Sequence, residues 1–333
     1  MTTIIDVAKK AGVSFKTVSR VLNGEAGVRE KTRENVLNVA TELNYQPNSS
    51  ARNLRAKTLP TVALLGDNPS RSFVEAMRLG AIMGCKRMGY NLKVENLLNK
   101  DTIEGLLSQE DIVGAVLAPP LSNSQWVLDY LNNQNIPYVR ICAEQVSNEG
   151  HKIGIDDRAA ARDMTQHLID LGHKRIGFIK GHSGYDVSRR RVVGYKDAMD
   201  NSGIEIDHNL IVEGEFSYVS GLVAAEKLLA QPDRPTAIFA SNDDMAAATL
   251  AVAYKYGISV PDQLSIAGFD DSPIAKIVHP GLTTIRQAVS VMAEKAIDIL
   301  AQKIIHKDGL LEDVELLHEL VERASTAPMK SVS

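Results

Sequence analysis

The sequence of 333 residues is poor in the residue types that build disulfide frameworks and membrane spans. It contains two cysteines and one tryptophan. Cys85 and Cys142 lie in apolar surroundings, which is typical of thiols that fill the core of a protein in a reducing compartment. No apolar run approaches the length of a membrane span, and the opening MTTIIDVAKK lacks the apolar region of a signal peptide. We therefore expect a cytoplasmic protein without membrane contact.

The sequence also lacks the motifs of common catalytic and cofactor sites. Its eight histidines are scattered without metal-ligand spacing, and it has no P-loop or dinucleotide fingerprint. The stretch GHSGY (181–185) is similar to a nucleophile elbow, but Tyr185 occupies the place of a required glycine. The acidic NDDM (242–245) is explained more simply as a helix start than as a metal site. We expect no metal, no cofactor and no enzymatic activity.

The charge of the chain is unevenly distributed. Residues 1–59 contain ten Lys/Arg and five Asp/Glu, which gives a net charge of +5. The remaining residues contain 27 Lys/Arg and 36 Asp/Glu, which gives −9. A small basic head on a larger acidic body indicates that the head binds a polyanion and the body does not. The length of the chain predicts two or three domains.

The basic head has the pattern of three short helices. Apolar residues at helical spacing predict a first helix that ends at Gly12. Ser14 can cap a second helix, FKTVSRVLN (15–23), and a third covers 30–43. A helix, a glycine turn and a short second helix describe a helix-turn-helix, whose second helix enters the major groove of DNA. The alternative is a three-helix bundle with a solvated basic face.

The body alternates short apolar runs with helical patterns. The predicted strands are TVALL (61–65), NLKVEN (91–96), VGAVLA (113–118), YVRI (138–141), RIGFIK (175–180), TAIFA (236–240) and LSIAGF (264–269). Continuous apolar strands between helices indicate parallel sheets that are covered on both faces. The body is too long for one comfortable core, so we expect two doubly wound α/β lobes with a ligand cleft between them.

The head contains the stretches TIIDVAKKAGVSFKTVSRVLNG and VREKTRENVLNVATELNYQPN. They resemble the DNA-binding domain of the LacI/GalR family of bacterial transcription regulators, and the resemblance extends over the full chain. It implies a small all-α helix-turn-helix domain at 1–47 and a hinge helix or linker at 48–59. It also implies an effector-binding and dimerisation domain at 60–330, made of two periplasmic-binding-protein-like α/β lobes.

The resemblance also implies which head residues contact DNA. Phe15, Lys16 and Arg20 would read base edges, because Arg and Lys donate to guanine and Phe can pack on a thymine methyl group. The residues implied to lie near phosphates are Ser14, Thr17, Ser19 and Asn23. Arg29 stands where the family usually has a serine before the third helix. Losing that cap costs about 0.5–2 kcal/mol, unless Arg29 contacts a phosphate instead.

Several body segments match motifs of the family. They are SRRRVVGY (188–195), EGEFSYVSG (213–221), AIFASNDDMA (237–246), SIAGFDDSPIA (265–275), HPGLTTIRQ (279–287) and HELVERAST (318–326). The resemblance implies that Arg191, Phe216, Asn242 and Asp270 line the effector cleft. A guanidinium donor, an aromatic platform and acceptors for vicinal hydroxyls suit a sugar.

These cleft residues have plainer alternatives, and one neighbouring loop departs from the family. Arg191 could be a surface cation, Phe216 could belong to the core, and Asp270 could cap the helix that follows. The loop GDNPSRSFV (66–74) has polar groups in part of what is usually an apolar wall, namely Asp67, Asn68 and Ser70. A polar wall favours a hydroxyl-rich ligand over a flat purine, because unpaired polar groups weaken binding.

Together these features predict a repressor that a mono- or oligosaccharide effector releases from operator DNA. A near-palindromic double-stranded operator implies a twofold homodimer. The segment APMKSVS after HELVERAST has no leucine heptads, so we expect a dimer and not a tail-assembled tetramer. Two alternatives stay open: a sugar-binding receptor without DNA control, and an α/β enzyme with a fused DNA-binding head.

The segment NSSARNLRAKT (48–58) has the composition of a linker but can form a short helix. Such a helix is too short to persist alone in water. In the family the matching segment forms a hinge helix on the operator, with a leucine, here Leu54, wedged into the minor groove. Asn48 would cap it, Ala51 would allow close approach of the partner helix, and Arg52 and Arg55 would hold the DNA backbone. The alternative is a plain tether.

The substitution Leu54→Ala distinguishes these two interpretations. We expect it to weaken specific operator binding and to spare effector affinity, because only the DNA complex uses the wedge. Titrations of the variant with operator DNA and with effector check this. If neither affinity changes, the segment is a tether.

Overall fold

The structure is a computed structural model that describes residues 4–22, 28–43, 59–96, 99–143, 150–305 and 312–329. The chain divides into two compact units, Met1–Leu59 and Pro60–Ser333. Each unit has its own hydrophobic core.

The first unit contains three helices around a small core. They are α1 (Ile4–Ala11), α2 (Phe15–Leu22) and α3 (Glu30–Glu42). Helix α1 ends at Gly12, whose φ of 67° lies in the left-handed region that glycine adopts readily. One buried valine from each helix, Val7, Val18 and Val36, lies in the core. The predicted helix, turn and helix are therefore present.

Side chains of α3 hold the ends of the other two helices. The Asn35 Nδ2 atom donates to the Ala11 carbonyl oxygen at 2.9 Å, and Arg33 Nη1 donates to the Val21 carbonyl oxygen at 3.4 Å. These carbonyls lie in the last turn of their helices, where no intrahelical N–H reaches them. The contacts fix α1 and α2 against α3 and so set which face of α2 points outward.

The second unit alternates strands and helices throughout. In chain order they are β1 (Thr61–Leu65), α4 (Arg71–Met88), β2 (Asn91–Glu95), α5 (Lys100–Leu107), β3 (Ile112–Leu117), α6 (Gln125–Asn133), β4 (Tyr138–Ile141), β5 (His151–Gly154), α7 (Asp157–Asp170), β6 (Ile176–Ile179), α8 (Asp186–Asn201), β7 (Ile211–Val212), α9 (Tyr218–Leu229), β8 (Ala237–Ala240), α10 (Asp243–Lys255), β9 (Ser265–Asp270), α11 (Pro273–Ile277), β10 (Thr283–Arg286), α12 (Val289–Ile305), β11 (Val314–Glu315) and β12 (Glu319–Val321). Short 3-10 turns cover Leu121–Asn123 and His208–Leu210.

These strands form two six-stranded sheets, one in each lobe. The first lobe has the order β11-β5-β4-β3-β1-β2, with all strands parallel. The second lobe has the order β12-β10-β9-β8-β6-β7, and only the edge strand β12 is antiparallel. Strands such as β1 and β4 are buried at every residue, as expected when helices cover both faces.

The chain passes between the two lobes three times. It enters the second lobe after β5, returns to the first lobe after β10, and enters the second again after β11. At the second crossing Ala288 has a positive φ of 47°. Each lobe is therefore built from separate stretches of the chain.

Helix α12 packs closely on α4 in the first lobe, and two glycines of α4 make this possible. A Cβ atom at Gly84 would lie 2.8 Å from Cβ of Ile297, and one at Gly80 would overlap the carbonyl oxygen of Ser290. Because this oxygen belongs to the backbone, α12 would have to move to accept a larger residue.

The prediction of two doubly wound α/β lobes behind a helical head is confirmed. Each of the seven predicted strands corresponds to an observed one. The sequence patterns did not predict strands β5, β7, β10 and β11, nor the crossings between the lobes. In the described ranges, no helix combines the length and apolar character needed to cross a membrane.

The substitution Gly80→Ala should destabilise the second unit. Overpacking against a fixed carbonyl typically costs about 1–3 kcal/mol of unfolding free energy. Urea denaturation of the variant measures this loss. The matched control is Gly105→Ala in α5, where a Cβ meets nothing within 4 Å, so higher helix propensity should raise stability by up to about 1 kcal/mol. Equal effects of the two substitutions would contradict the packing argument.

Candidate functional site

A small cavity lies between the two lobes. Its walls come mainly from segments that follow the C-terminal ends of parallel strands, where doubly wound folds bind ligands. The lining residues are Asn68, Ser70, Phe73, Pro119, Cys142, Val187, Arg191, Phe216, Asp270 and Gln287. Five of the seven residues that the sequence predicts to bind an effector are among them: Asn68, Ser70, Arg191, Phe216 and Asp270.

Arg191 is held in one position by contacts on several sides. Its Nε donates to Asp157 Oδ1 at 2.8 Å, its Nη2 lies 2.8 Å from the same atom, and its Nη1 donates to the Ser241 carbonyl oxygen at 2.6 Å. Its guanidinium carbon lies 3.6 Å from the ring centroid of Phe269. Burial raises the pKa of Asp157, and the Arg191 charge opposes that rise. Arg191 is therefore a buried, oriented donor and not a surface cation.

Asp270 and Gln287 form a hydrogen-bonded pair in the cavity wall. The Gln287 Nε2 atom donates to Asp270 Oδ1 at 2.5 Å. Burial raises the pKa of Asp270 to about 7, although the Arg191 charge and the Gln287 hydrogen bond oppose the rise. Gln287 is 1% exposed, and its buried Oε1 atom has no hydrogen-bond partner in the described part of the chain. Both residues of the pair line the cavity.

Phe216 forms the aromatic part of the wall although only 4% of it is exposed. Its φ of 56° is unusual for a bulky residue, and Asn242 Nδ2 holds its carbonyl oxygen at 2.8 Å. Its ring lies so close to Gly181 that any Cβ there would overlap it. The Phe216 ring also makes an edge-to-face contact with the Tyr185 ring, with 5.9 Å between the two ring centroids. Phe216 therefore belongs both to the core and to the cavity wall.

Two residues that the sequence predicts in the cleft do not line the cavity. Asn242 is the N-cap of α10, because its Oδ1 accepts from Met245 N at 3.0 Å, and its amide holds Phe216 as described above. Asp67 has an exposed side chain, and its carbonyl oxygen accepts a hydrogen bond from Tyr185 in the other lobe. Both lie beside the cavity and support its walls.

A few polar contacts join the two lobes beside the cavity. The Tyr185 hydroxyl of the second lobe donates to the Asp67 carbonyl oxygen at 2.6 Å. Asp244, at the start of α10, lies near enough to the Ser70 and Ser72 hydroxyls of the first lobe for them to affect its pKa. Burial raises the pKa of Asp244, and these two hydroxyls oppose the rise. The cleft is therefore closed in this structure.

In the first unit, α2 presents one polar face outward. Val18 and Val21 are buried, while Phe15 is 49% exposed and Lys16 is also exposed. Positions 15, 16, 19 and 20 share the outward side, because helical residues three to four apart lie on one face. The remaining predicted contacts on this helix, Thr17, Ser19 and Arg20, are half-buried. As predicted, Ser14 Oγ accepts from Thr17 N at 3.1 Å and caps the helix.

Arg29 is the N-cap of α3, with an exposed side chain that makes no capping hydrogen bond. The structure thus agrees with the expected loss of the usual serine cap. Six other residues predicted to contact DNA lie outside the described residues: Asn23, Asn48, Ala51, Arg52, Leu54 and Arg55.

Several residues at the cavity are not predicted by the sequence patterns. Asp156 caps α7, since its Oδ1 accepts from the N–H groups of the two residues after Asp157. The buried role of Asp157 itself was not foreseen. Gln287 was also missed, although it is the last residue of the family motif HPGLTTIRQ (279–287). Cys142 is predicted to lie in the core, and it is buried. No sequence pattern indicates that it also lines the cavity.

Two family models match the chain. Residues 3–48 match the bacterial regulatory proteins of the lacI family, and residues 165–326 match a periplasmic binding protein-like domain. Among the similar proteins is the HTH-type transcriptional repressor PurR of Photobacterium profundum, which is 34% identical over 330 residues, covering 98% of each chain.

Solved structures with the same fold include two regulators with ligands. A transcriptional regulator CelR–cellobiose complex has a TM-score of 0.75 and 29% identity, covering 98% of this chain and 100% of that one. The lac repressor dimer bound to operator and the anti-inducer ONPF has a TM-score of 0.73 and 26% identity, covering 98% and 99% of the two chains.

The substitution Asp270→Asn should change how stability depends on pH. A carboxyl group whose pKa rises on folding from 3.8 to about 7 binds its proton more tightly in the folded state. It therefore lowers the free energy of unfolding progressively as pH rises from about 4 to 7, by at most about 1.4 kcal/mol per pH unit. The free energy of unfolding of the variant should therefore rise relative to that of the parent from pH 4 to 7. Above pH 7 the difference between the two proteins should stay constant.

Urea denaturation of both proteins at several pH values measures this difference. The matched control is Asp129→Asn, which alters an exposed carboxylate on α6. If the difference in unfolding free energy between Asp270→Asn and the parent is the same at every pH from 4 to 7, burial does not raise the pKa of Asp270.

Proposed function

The chain belongs to the lacI family of bacterial regulatory proteins, and from this premise we propose that it is a repressor controlled by a sugar-like effector. It binds a near-palindromic operator through the first unit and the effector between the lobes of the second. The observation that carries the effector half of this proposal is the cavity with Arg191, Asp270, Gln287 and Phe216 in its walls.

The DNA half of the proposal is supported by the outward face of α2. Its exposed Phe15 and Lys16 lie in the first turn, which reads base edges in a helix-turn-helix. Arg20 follows one turn later, at the spacing that shares this face. In the proposed complex Ser14, Thr17 and Ser19 lie near phosphates, and the exposed Arg29 contacts another.

We assign the chain three functional parts: a DNA-binding domain at 1–47, a hinge segment at 48–59 and an effector domain at 60–330. The hinge segment would form its helix on the operator, with Leu54 in the minor groove. The division of the chain near Leu59 is compatible with these boundaries.

A hydroxyl-rich effector suits the chemistry of the cavity. Arg191 and Asn68 offer N–H donors, Asp270 and Gln287 offer acceptors, and Phe216 offers a ring face of the kind that packs on a sugar. The cellobiose in the CelR complex is a ligand of this chemistry.

Effector and operator would oppose each other through the arrangement of the two lobes. The effector contacts both lobes and so favours one relative placement, while the operator favours another through the hinge segments of a dimer. Each ligand then lowers the affinity of the other by the same factor, since coupling free energy is reciprocal. Release of the operator by the effector follows.

A homodimer would bring two heads to the two operator halves. Exposed apolar side chains on α4 (Leu79, Ile82 and Met83) and on α9 (Val219 and Val223) lie at helical spacing on one face of each helix. Such faces suit a twofold contact with a second copy. Binding to operator DNA implies that the protein works in the cytoplasm.

We propose no catalytic role for the cavity. The relatives are transcriptional regulators. Among the described lining residues Cys142 is the candidate nucleophile, but burial raises the pKa of its thiol, so it stays protonated and unreactive.

A mobility-shift assay tests the proposal. The full chain is used to enrich a duplex from a random pool, and binding is then measured at rising salt, with a single half-site as the control. We expect a palindromic sequence, weak binding to the half-site and a steep fall of affinity with salt. A thermal-shift screen of sugars, disaccharides and purines on the same protein identifies the effector. Sequence-independent or absent DNA binding would overturn the repressor assignment.

The substitution Arg20→Ala should weaken specific binding to the enriched duplex by about 1–3 kcal/mol, as expected for loss of a bidentate base contact. The control is Lys9→Ala, which removes another exposed cation of the head from α1 and should change specific binding much less. If Arg20→Ala leaves affinity unchanged, α2 does not dock as proposed.

A further inference from the structure

Asp270 and Asp271 are consecutive acidic residues with opposite surroundings. Burial raises the pKa of Asp270 to about 7. Burial would also raise the pKa of Asp271, but hydrogen bonds from Arg323 and Arg286 outweigh this effect and hold that pKa below its ordinary value. Neighbouring carboxyl groups whose surroundings separate their pKa values have different roles. Asp270 lines the cavity, whereas Asp271 is a permanently ionised partner of two arginines.

The register of two strands accounts for this difference. Asp270 ends β9 and Arg286 ends β10, and the two residues are paired across the parallel strands. The Arg286 Nε atom donates to Asp271 Oδ2 at 2.7 Å, and the next residue, Gln287, donates to Asp270. The strand ends therefore carry two bonded pairs, and only Asp270–Gln287 belongs to the described lining of the cavity.

A second arginine binds the other oxygen of Asp271. Arg323 Nη2 donates to Asp271 Oδ1, and Arg323 Nη1 donates to the Leu282 carbonyl oxygen at 2.7 Å. The backbone N–H of Arg323 donates to Thr283 Oγ1 at 3.0 Å, which fixes the arginine itself. Lys276 Nζ, on α11, lies 3.7 Å from Asp271 Oδ2. The Asp271 side chain is 3% exposed, so these charge-assisted bonds are shielded from water.

The backbone around Asp271 is also fixed on both sides. Asp270 and Asp271 have φ values of 110° and 51°, which residues other than glycine rarely adopt. The Asp271 N–H donates to Thr284 Oγ1 at 3.4 Å, and the Ser272 N–H donates to Asp243 Oδ2 at 2.7 Å. Thr284 Oγ1 in turn donates to Asp243 Oδ1 at 2.6 Å. Such a conformation persists only where its surroundings hold it.

We propose that Asp271, Arg286 and Arg323 form a clamp that positions Asp270. By holding the Asp271 side chain, the clamp fixes the backbone turn that directs the Asp270 carboxyl group to Gln287 in the cavity wall. The three clamp residues are positioning residues, because they act through Asp270. This inference deepens the proposed function, on which it rests for any role in ligand binding, since Asp270 lines the same cavity.

A positioning role and a purely electrostatic role of Arg323 predict opposite results. If Arg323 acts only as a charge, its removal takes a cation away from Asp270 and raises the pKa of that carboxyl group further. If the clamp positions Asp270, its loss frees the carboxyl group from its buried place and lowers the pKa toward the ordinary value. The charged groups Asp157, Arg191 and Asp244, which also act on Asp270, stay unchanged in either case.

A double-mutant cycle on the full chain distinguishes the two roles. Urea denaturation from pH 4 to 9 compares Asp270→Asn with its parent in the unchanged chain and in an Arg323→Met background. In the unchanged chain, the unfolding free energy of Asp270→Asn should rise relative to its parent from pH 4 to 7. In the Arg323→Met background this rise should fall to less than about half and end at a lower pH. The comparison within one background cancels the titration of Asp271.

The control background is Arg87→Met. Arg87 on α4 also binds two carboxylate oxygens, those of Glu294 and Asp298 on α12, but it lies in the first lobe. Its loss should leave the rise unchanged, whereas Arg323→Lys, which keeps the charge and one bond to Asp271, should restore most of it. A rise that is unchanged or extends to higher pH in Arg323→Met overturns the proposal, as does an equal reduction in Arg87→Met.

Arg286→Met keeps the proposal testable if Arg323→Met does not fold. Arg286 binds the same carboxylate and its side chain is 40% exposed, so its replacement disturbs the core less. The cycle is repeated in this background, with the same expected and contradicting results.

The cycle uses neither ligand nor DNA, so its outcome is separate from that of the proposed function. If the rise is unchanged while the parent binds its operator specifically, the clamp is wrong and the repressor assignment stands. If the parent binds no duplex specifically, the repressor assignment fails, whatever the cycle shows.

Discussion

The buried ion pair between Arg191 and Asp157 is the interaction on which the candidate site depends. Asp157 is the first residue of α7, immediately after the chain enters the second lobe, and Arg191 lies in α8. With the Ser241 carbonyl after β8, the pair ties three segments together at the cavity. Removing one partner of such a pair typically costs about 3–5 kcal/mol, although an apolar replacement of both can be as stable. The role of the pair is therefore to orient the Arg191 guanidinium as a donor, and not to raise the free energy of unfolding.

The same wall also carries unfavourable backbone conformations. Phe216, Asp270 and Asp271 have φ values of 56°, 110° and 51°, and each such residue costs of order 1–3 kcal/mol. Neighbours hold these conformations in place: Asn242 bonds the Phe216 carbonyl, and Arg286 Nε donates to Asp271 Oδ2 at 2.7 Å. Asp271 is thus engaged by arginine and does not cap α11, whose N-cap is Ser272. Two of these three residues, Phe216 and Asp270, line the cavity.

The sequence predicted those parts of the molecule that local patterns determine. Strands β1 and β4 could be predicted because burial on both faces makes each of them a continuous apolar run. Strands β7 and β11 have two residues each, which is too short for such a run, and β11 pairs with β5, which is distant in the sequence. Arg191 and Phe216 could be placed by family motifs. The partnership of Asp157 with Arg191 and the free oxygen of Gln287 could not, because both depend on how distant segments meet. Asn242, which was expected to line the cleft, instead caps α10 and donates to the Phe216 carbonyl oxygen.

The contacts between the two lobes are weak enough for a ligand to change them. The Tyr185–Asp67 contact is an ordinary hydrogen bond, which contributes about 0.5–1.5 kcal/mol net. Couplings between ligand sites are typically about 1–3 kcal/mol, so a ligand that bridges the lobes can shift their placement by making or losing a few such bonds. The charge distribution acts on the DNA half of this coupling. A head of +5 on a body of −9 directs the DNA polyanion to the head.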